Sequence, residues 1–258
     1  MDNMNDNTII SVRHVTFGYR KREPVLEDVS LDVPRGQSLG VLGYNGVGKT
    51  TLLNLIIGLL RPQRGRCVIN AGLVPAMRDV FSMTERANLI DAMTVRDNIR
   101  FRSLLFADRD DPDPVDLDAL AEHPLVRAFE LGEHLDKKVS DLSSGLRKRA
   151  GLVAGMLFDP HVVLLDEPTN AVDPMTRRLL FDYANELRAA GRTLLTVTHD
   201  LEYCWRTTDR VVVLDHGHVA LDADVAGFAD YEAFERAATL GREDRKVDFG
   251  IKKTRYDA

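Results

Sequence analysis

The chain opens on alternation. Ile9 to Val15 switches between apolar and polar residues as a half-buried strand does, and Val25 to Val33 continues the signal up to the turn Pro34-Arg35-Gly36. Ser38 to Leu42 is a short apolar strand, followed by a glycine-rich stretch and an apolar helix, Thr50 to Leu60, which Arg61-Pro62 stops. Short strands are predicted at Arg66 to Asn70 and Leu73 to Met77, then helices at Met83 to Phe106 and Asp116 to Phe129. The acidic, proline-broken stretch Asp108 to Asp118 separates these two helices. Another helical segment leads to Leu157. Beyond it strand and helix alternate, at Val162–Leu165, Met175–Arg188, Thr193–Thr198, Leu201–Thr207 and Arg210–Leu214. Such alternation predicts an α/β fold, a largely parallel sheet covered by helices, with a helical insert in its middle. The predicted division is a core of residues 1–77 and 158–240, an insert of 78–157, and a polar tail of mixed charge at 241–258 that reads as a frayed terminus.

Composition narrows the classes. With 258 residues, 44% hydrophobic and 29% charged, the chain has the make-up of an ordinary globular protein able to bury a substantial core. A net charge of −6 argues against nucleic acid as the main partner. Cys67 and Cys204 make no metal-ligand spacing and read as buried thiols. The N-terminus lacks the pattern of a signal peptide, and no apolar run approaches the ~20 residues that span a bilayer. Two features that resemble cation sites have plainer readings. Asp108 to Asp118 carries two prolines and no glycine turn, unlike a calcium loop, and His216-x-His218 reads as a turn pair.

The chemistry lies in three runs. Gly43-Tyr44-Asn45-Gly46-Val47-Gly48-Lys49-Thr50 stands between a strand and a helix, the context of a phosphate-binding loop. Its glycines let successive N–H groups point inward at an anion. Lys49 supplies a mobile charge for β- and γ-phosphates, and Thr50 a hydroxyl for Mg²⁺. The nucleotide contacts are therefore assigned to Gly43, Asn45, Gly46, Gly48, Lys49, Thr50 and Thr51. Val162 to Leu165 ends in Asp166-Glu167, two carboxylates at the end of a buried strand, where ligands of open α/β sheets bind. Asp166 is assigned to Mg²⁺. Neighbouring strand residues point to opposite faces, so Glu167 shares the site only if the strand has ended.

Between these runs lies Leu142-Ser143-Ser144-Gly145-Leu146, followed by Arg147-Lys148-Arg149. In this order the three runs resemble the ATP-binding subunit of ABC transporters, over about Ile9 to Leu240. The family signature is usually Leu-Ser-Gly-Gly-Gln, from which this chain departs at Ser144 and Leu146. The resemblance implies a P-loop NTPase core with a small antiparallel β part, ATP and Mg²⁺ as cofactors, and peripheral attachment to the cytoplasmic face of a membrane. It also implies two partners, a second copy bound head to tail and an integral membrane permease. By the same resemblance Glu167 polarises the attacking water and His199 is the switch histidine at the γ-phosphate. Tyr19 stacks on adenine, Ser143, Ser144 and Gly145 reach the partner's nucleotide, and Asp173 belongs to the D-loop that contacts the opposite subunit.

One departure stands out. The family usually carries a glutamine that reaches Mg²⁺ and the attacking water, whereas here the stretch reads Gly72-Leu73-Val74-Pro75-Ala76-Met77-Arg78-Asp79. Ala76 or a neighbour occupies that position, and Asp79 is the nearby side chain that could contact a metal or water. The shortened loop and altered signature are similar to those of polysaccharide exporters of the capsular or O-antigen type. The sequence reading is thus an ATPase driving export of a polysaccharide or lipid-linked glycan. Its alternatives are a drug, lantibiotic or peptide exporter, and a non-transport or regulatory ABC module.

Overall fold

The computed structural model describes residues 7–20, 23–84, 88–106 and 115–242. Most of the acidic stretch after Phe106, and the tail beyond residue 242, lie outside the described residues. The strands are β1 (Thr8–Phe17), β2 (Leu26–Pro34), β3 (Ser38–Leu42), β4 (Arg64–Ile69), β5 (Val80–Met83), β6 (Val162–Asp166), β7 (Thr193–Thr198), β8 (Arg210–Asp215) and β9 (His218–Asp224). The helices are α1 (Lys49–Ile56), α2 (Val95–Phe106), α3 (Pro124–Ala128), α4 (Ser144–Met156), α5 (Pro174–Ala189), α6 (Leu201–Thr207) and α7 (Tyr231–Ala238).

Two sheets divide the strands. A six-stranded sheet runs β5-β6-β7-β3-β8-β9, parallel except for the β8–β9 hairpin. His216 and Gly217 turn that hairpin with φ of 46° and 80°, the left-handed pair a two-residue turn needs. A three-stranded antiparallel sheet runs β2-β1-β4. β3, β6 and β7 are buried along their whole length, so their residues read as continuous apolar runs rather than alternating ones. Between the two sheets, α1 packs Leu52, Leu53, Leu55 and Ile56 into a cluster with Ile10, Val12, Val41 and Val197. The other face of the large sheet meets α4, α5, α6 and the insert around Phe81, Phe129, Val153, Phe181 and Tyr203. Cys204 is buried here, where desolvation pushes its thiol well above its usual value. Cys67 is half-buried rather than buried, with its thiol pushed up to about 11 by the same cause.

Several predicted elements shift. Residues 73–77 form no strand, because Asn70 accepts the backbone N–H groups of Leu73 and Val74 and turns the chain. The strand comes later, as β5, and pairs with β6 in the large sheet. β5 falls within the stretch 78–157 expected to be the helical insert, yet it is an edge strand of the large sheet. Phe81 of β5 packs where Gly155 of α4 has no side chain: a Cβ there would meet the Phe81 ring at 2.0 Å. The predicted helix from Met83 starts only at α2, whose entry Thr94 caps by accepting the Asp97 N–H at 3.0 Å. The predicted helix from Asp116 shrinks to a turn at Leu120–Glu122 and α3. Pro124 causes the break: the residue before a proline avoids the helical region, and His123 is extended. α1 ends at Ile56 rather than Leu60, with Gly58 just beyond at φ 79°.

Candidate functional site

The loop from β3 into α1 is built on glycine conformations. Gly46 and Gly48 have φ of 84° and 113°, values that side chains rarely adopt. A Cβ at Gly48 would also strike Leu26 Cδ2 at 2.7 Å, so the loop lies tight against β2. Lys49, the first residue of α1, is 5% exposed and turns back to donate from Nζ to the carbonyls of Gly43 at 2.7 Å and Tyr44 at 3.3 Å. Thr50 donates its hydroxyl to Asp166 Oδ1 at 3.0 Å, joining α1 to the end of β6.

Glu167 departs from strand geometry. β6 ends at Asp166, and Glu167 takes φ 47°, so the alternation stops: Glu167 lines the cavity described below, while Asp166 is buried behind Thr50. Its Oε1 lies 3.4 Å from Lys49 Nζ. Its Oε2 accepts from the Thr198 hydroxyl at 3.0 Å and from the His199 N–H at 3.3 Å, and lies 2.9 Å from His199 Nδ1. Three residues therefore converge on the carboxylate at the β6 end: the loop lysine, and the threonine and histidine at the β7 end.

An open cavity of about 450 Å³ lies beside this cluster. It is lined by Tyr19, Asn45, Gly46, Gly48, Lys49, Thr50, Thr51 and Glu167, together with Val25 and Asn170. Tyr19 is 66% exposed, meets Phe17 edge-on at 5.1 Å, and its hydroxyl lies 3.3 Å from Thr51 Oγ1. The residues fit a Mg²⁺–nucleotide. A Cβ at Gly46 would meet nothing within 4 Å, leaving its backbone open to the cavity. The hydroxyl of Thr50 and carboxylate of Asp166 are hard oxygen donors suited to that cation.

The signature run stands apart. Ser143 caps α4 by accepting the Leu146 N–H at 3.3 Å, and Ser144 donates its hydroxyl to the Ala171 carbonyl at 3.1 Å. A Cβ on Gly145 would meet Asp173 Oδ2 at 2.9 Å. None of the three lines the cavity. Asp173 caps α5, and the Thr176 hydroxyl at 2.5 Å, then the Thr176 N–H at 2.9 Å, hold its carboxyl below the usual range. Arg149, almost fully buried, donates to Thr176 Oγ1 at 2.8 Å and Glu130 at 3.0 Å.

Ala76 and Asp79 do not line the cavity either. Asp79 Oδ2 accepts the Ala76 N–H at 3.0 Å, closing a local turn before β5. Sequence reasoning gave Thr198 and Lys148 no role and placed Asn170 only in the D-loop run Asn170 to Asp173. Thr198 was legible as a hydroxyl at a strand end beside His199. Lys148 was legible only through its spacing, one helical turn after Ser144. Its Nζ donates to the carbonyls of Glu167 at 2.9 Å, Pro168 at 3.5 Å and Asn170.

Known proteins place this geometry. A family model described as ABC transporter matches residues 26–170, more than half of the chain. The Nod factor export ATP-binding protein I of Rhizobium meliloti (strain 1021) is 33% identical over 214 residues, 81% of this chain and 62% of that protein. The chain thus spans under two thirds of that relative's length. A putative ABC transporter ATP-binding protein of Halobacterium salinarum is 35% identical over 225 residues, covering 84% of this chain and 94% of that one. Among solved structures, an ATP-binding subunit of an ABC transporter superposes with a TM-score of 0.73 at 27% identity, over 92% of this chain and 95% of that one. A dimeric ATP-binding cassette in a post-hydrolysis state with ADP and Pi shares the fold, with a TM-score of 0.72 at 24% identity over 85% of this chain and all of that one. The chain belongs to the ABC transporter family, and the part of it described above is the ATP-binding domain.

Proposed function

We propose that this chain hydrolyses ATP as a head-to-tail dimer bound to a membrane permease, and that the work drives export of a polysaccharide or lipid-linked glycan. The observation that carries the ATPase reading is the convergence of Lys49, Thr198 and His199 on Glu167 beside a glycine-lined cavity. In this reading Tyr19 stacks on the adenine, and Gly43, Asn45, Gly46, Gly48 and Thr51 line the phosphate path. Lys49 meets the β- and γ-phosphates. Thr50 and Asp166 would hold Mg²⁺, which when bound neutralises charge on the phosphates. Glu167 orients the attacking water and accepts its proton, while the Thr198 hydroxyl and the His199 backbone N–H fix the carboxylate's direction. His199 then contacts the γ-phosphate through its ring. Ser143 and the backbone at Gly145 serve the nucleotide of the second copy, aided by the positive end of α4, with Asp173 at the dimer contact, while the Ser144 hydroxyl is taken by the Ala171 carbonyl.

No helix among the described residues is long and apolar enough to cross a membrane, and on this reading the membrane path is supplied by the permease. The export direction is supported by the relative named for Nod factor export. The glycan reading is supported by Ala76 in place of a glutamine and by the altered signature at Ser144 and Leu146. The test is reconstitution of the protein with its permease in vesicles, with ATP inside the test medium and candidate cargo in the membrane. Lipid-linked glycan should raise Mg²⁺-dependent hydrolysis and move across. Stimulation by a peptide instead would transfer the assignment to peptide export, and absence of hydrolysis would overturn the ATPase reading.

A further inference from the structure

The residues from Glu167 to Ala171 leave β6 in an unusual way. Glu167 and Ala171 have φ of 47° and 55°, left-handed values in non-glycine residues. The turn therefore needs outside support. It comes from one face of α4. Ser144 and Lys148 stand one helical turn apart on that face. Ser144 takes the carbonyl of Ala171, and the ammonium of Lys148, 5% exposed, takes those of Glu167, Pro168 and Asn170. Two side chains thus hold four carbonyls of a five-residue turn. An ammonium has three donors on a compact centre, which suits three converging carbonyls. Ser144 stands where the family usually has glycine, which has no hydroxyl to offer.

We propose that Ser144 and Lys148 form a carbonyl clasp that positions Glu167, so that the helix presenting the signature to the second copy also sets the water-orienting carboxylate of its own subunit. The inference rests on the ATPase reading above and deepens it. Lys148 touches no substrate on this reading; it is a positioning residue. A shift of α4 on engaging the partner's nucleotide moves the Glu167 backbone with it, and so links the two sites of the dimer. A buried ammonium left with fewer carbonyls is costly, so the clasp resists partial opening.

The test uses the full chain with Mg²⁺ and ATP. Lys148→Met should lower kcat by at least about ten-fold, because charge-assisted bonds to the turn are lost, while the ATP dissociation constant stays within about two-fold. Lys148→Arg, which restores charge and donors, should recover most of the lost kcat. Ser144→Gly removes one bond at an exposed position and should lower kcat about two- to three-fold at unchanged ATP affinity; it carries the test if the methionine variant does not fold. Wild-type kcat in Lys148→Met or in Ser144→Gly overturns the clasp. So does a parallel loss of ATP affinity and thermal stability that arginine does not restore, since that is plain structural support. Glu167→Gln in the same series keeps the two readings apart: if it hydrolyses normally the ATPase assignment fails, and if it is inactive while Lys148→Met is unaffected only the clasp fails.

Discussion

The phosphate loop and the signature run are both short glycine-containing segments that open a helix, yet they are built to different degrees. The loop before α1 is finished within the chain: Lys49 is buried and bonded, Thr50 holds Asp166, and Glu167 takes contacts from three side chains. The run before α4 is held from behind, by Ala171 and the cap of Ser143, and none of Ser143, Ser144 and Gly145 lines the nucleotide cavity. One region is a complete cradle. On the proposed dimer reading, the other is a prong offered to the nucleotide of the second copy.

The sharpest way to break this comparison is at Glu167. Glu167→Gln keeps the acceptor for Thr198 and His199 but removes the charge, so hydrolysis should fall by ~10²-fold or more while ATP still binds and an ATP-held dimer accumulates. Single-turnover hydrolysis and size-exclusion chromatography read the two effects. Lys49→Ala strikes the cradle at binding, and calorimetry should show ATP affinity reduced by about 1.5–3 kcal/mol. Unchanged affinity would remove the phosphate-loop assignment.

A bulky residue at Gly145 probes the prong. Its side chain would press on Asp173, so ATP binding should survive and hydrolysis should fall at least about ten-fold, as expected when only a transition-state contact is lost. Mixing that variant with Lys49→Ala should restore part of the rate, because one of the two composite sites in the mixed dimer is intact. No recovery at any ratio would argue against shared sites. The smallest effect is expected at Asp79→Ala. Its carboxylate closes a turn with Ala76, so the rate should change by less than about two-fold and stability by ~1 kcal/mol. A large loss of hydrolysis would instead make Asp79 a substitute for the missing glutamine.

What the sequence disclosed follows the same division. Apolar runs such as Thr193–Thr198 matched their strands to the residue, because full burial leaves one long signal with sharp ends. The phosphate loop and the Asp166-Glu167 pair were legible because their chemistry demands fixed residue types at fixed spacing. The insert was less legible. Its helices are short and interrupted, at Pro124 and before Thr94, and local turns outweighed periodicity there. β5 was hidden for a different reason: at four residues, between a proline-bearing turn and the insert, it has too few positions to show a period. The support of Glu167 left the faintest trace, the spacing of Ser144 and Lys148 alone, since Lys148 acts through backbone carbonyls far along the chain, and carbonyls leave no mark in a sequence.

The order of the large sheet has a consequence for the chain during its synthesis. β3, which delivers the phosphate loop, is among the first strands made, yet its two neighbours are β7 and β8. Ser38 pairs with Leu194, and Leu39 with Arg210. Pairings this distant are slow to form and leave apolar strands uncovered in the meantime. On the ribosome, the segment that makes the nucleotide cradle therefore waits, with its edges open to chaperones, until nearly the whole domain has emerged. The finished cradle, in which Thr50 meets Asp166 and Thr198 meets Glu167, is thus a late product of folding.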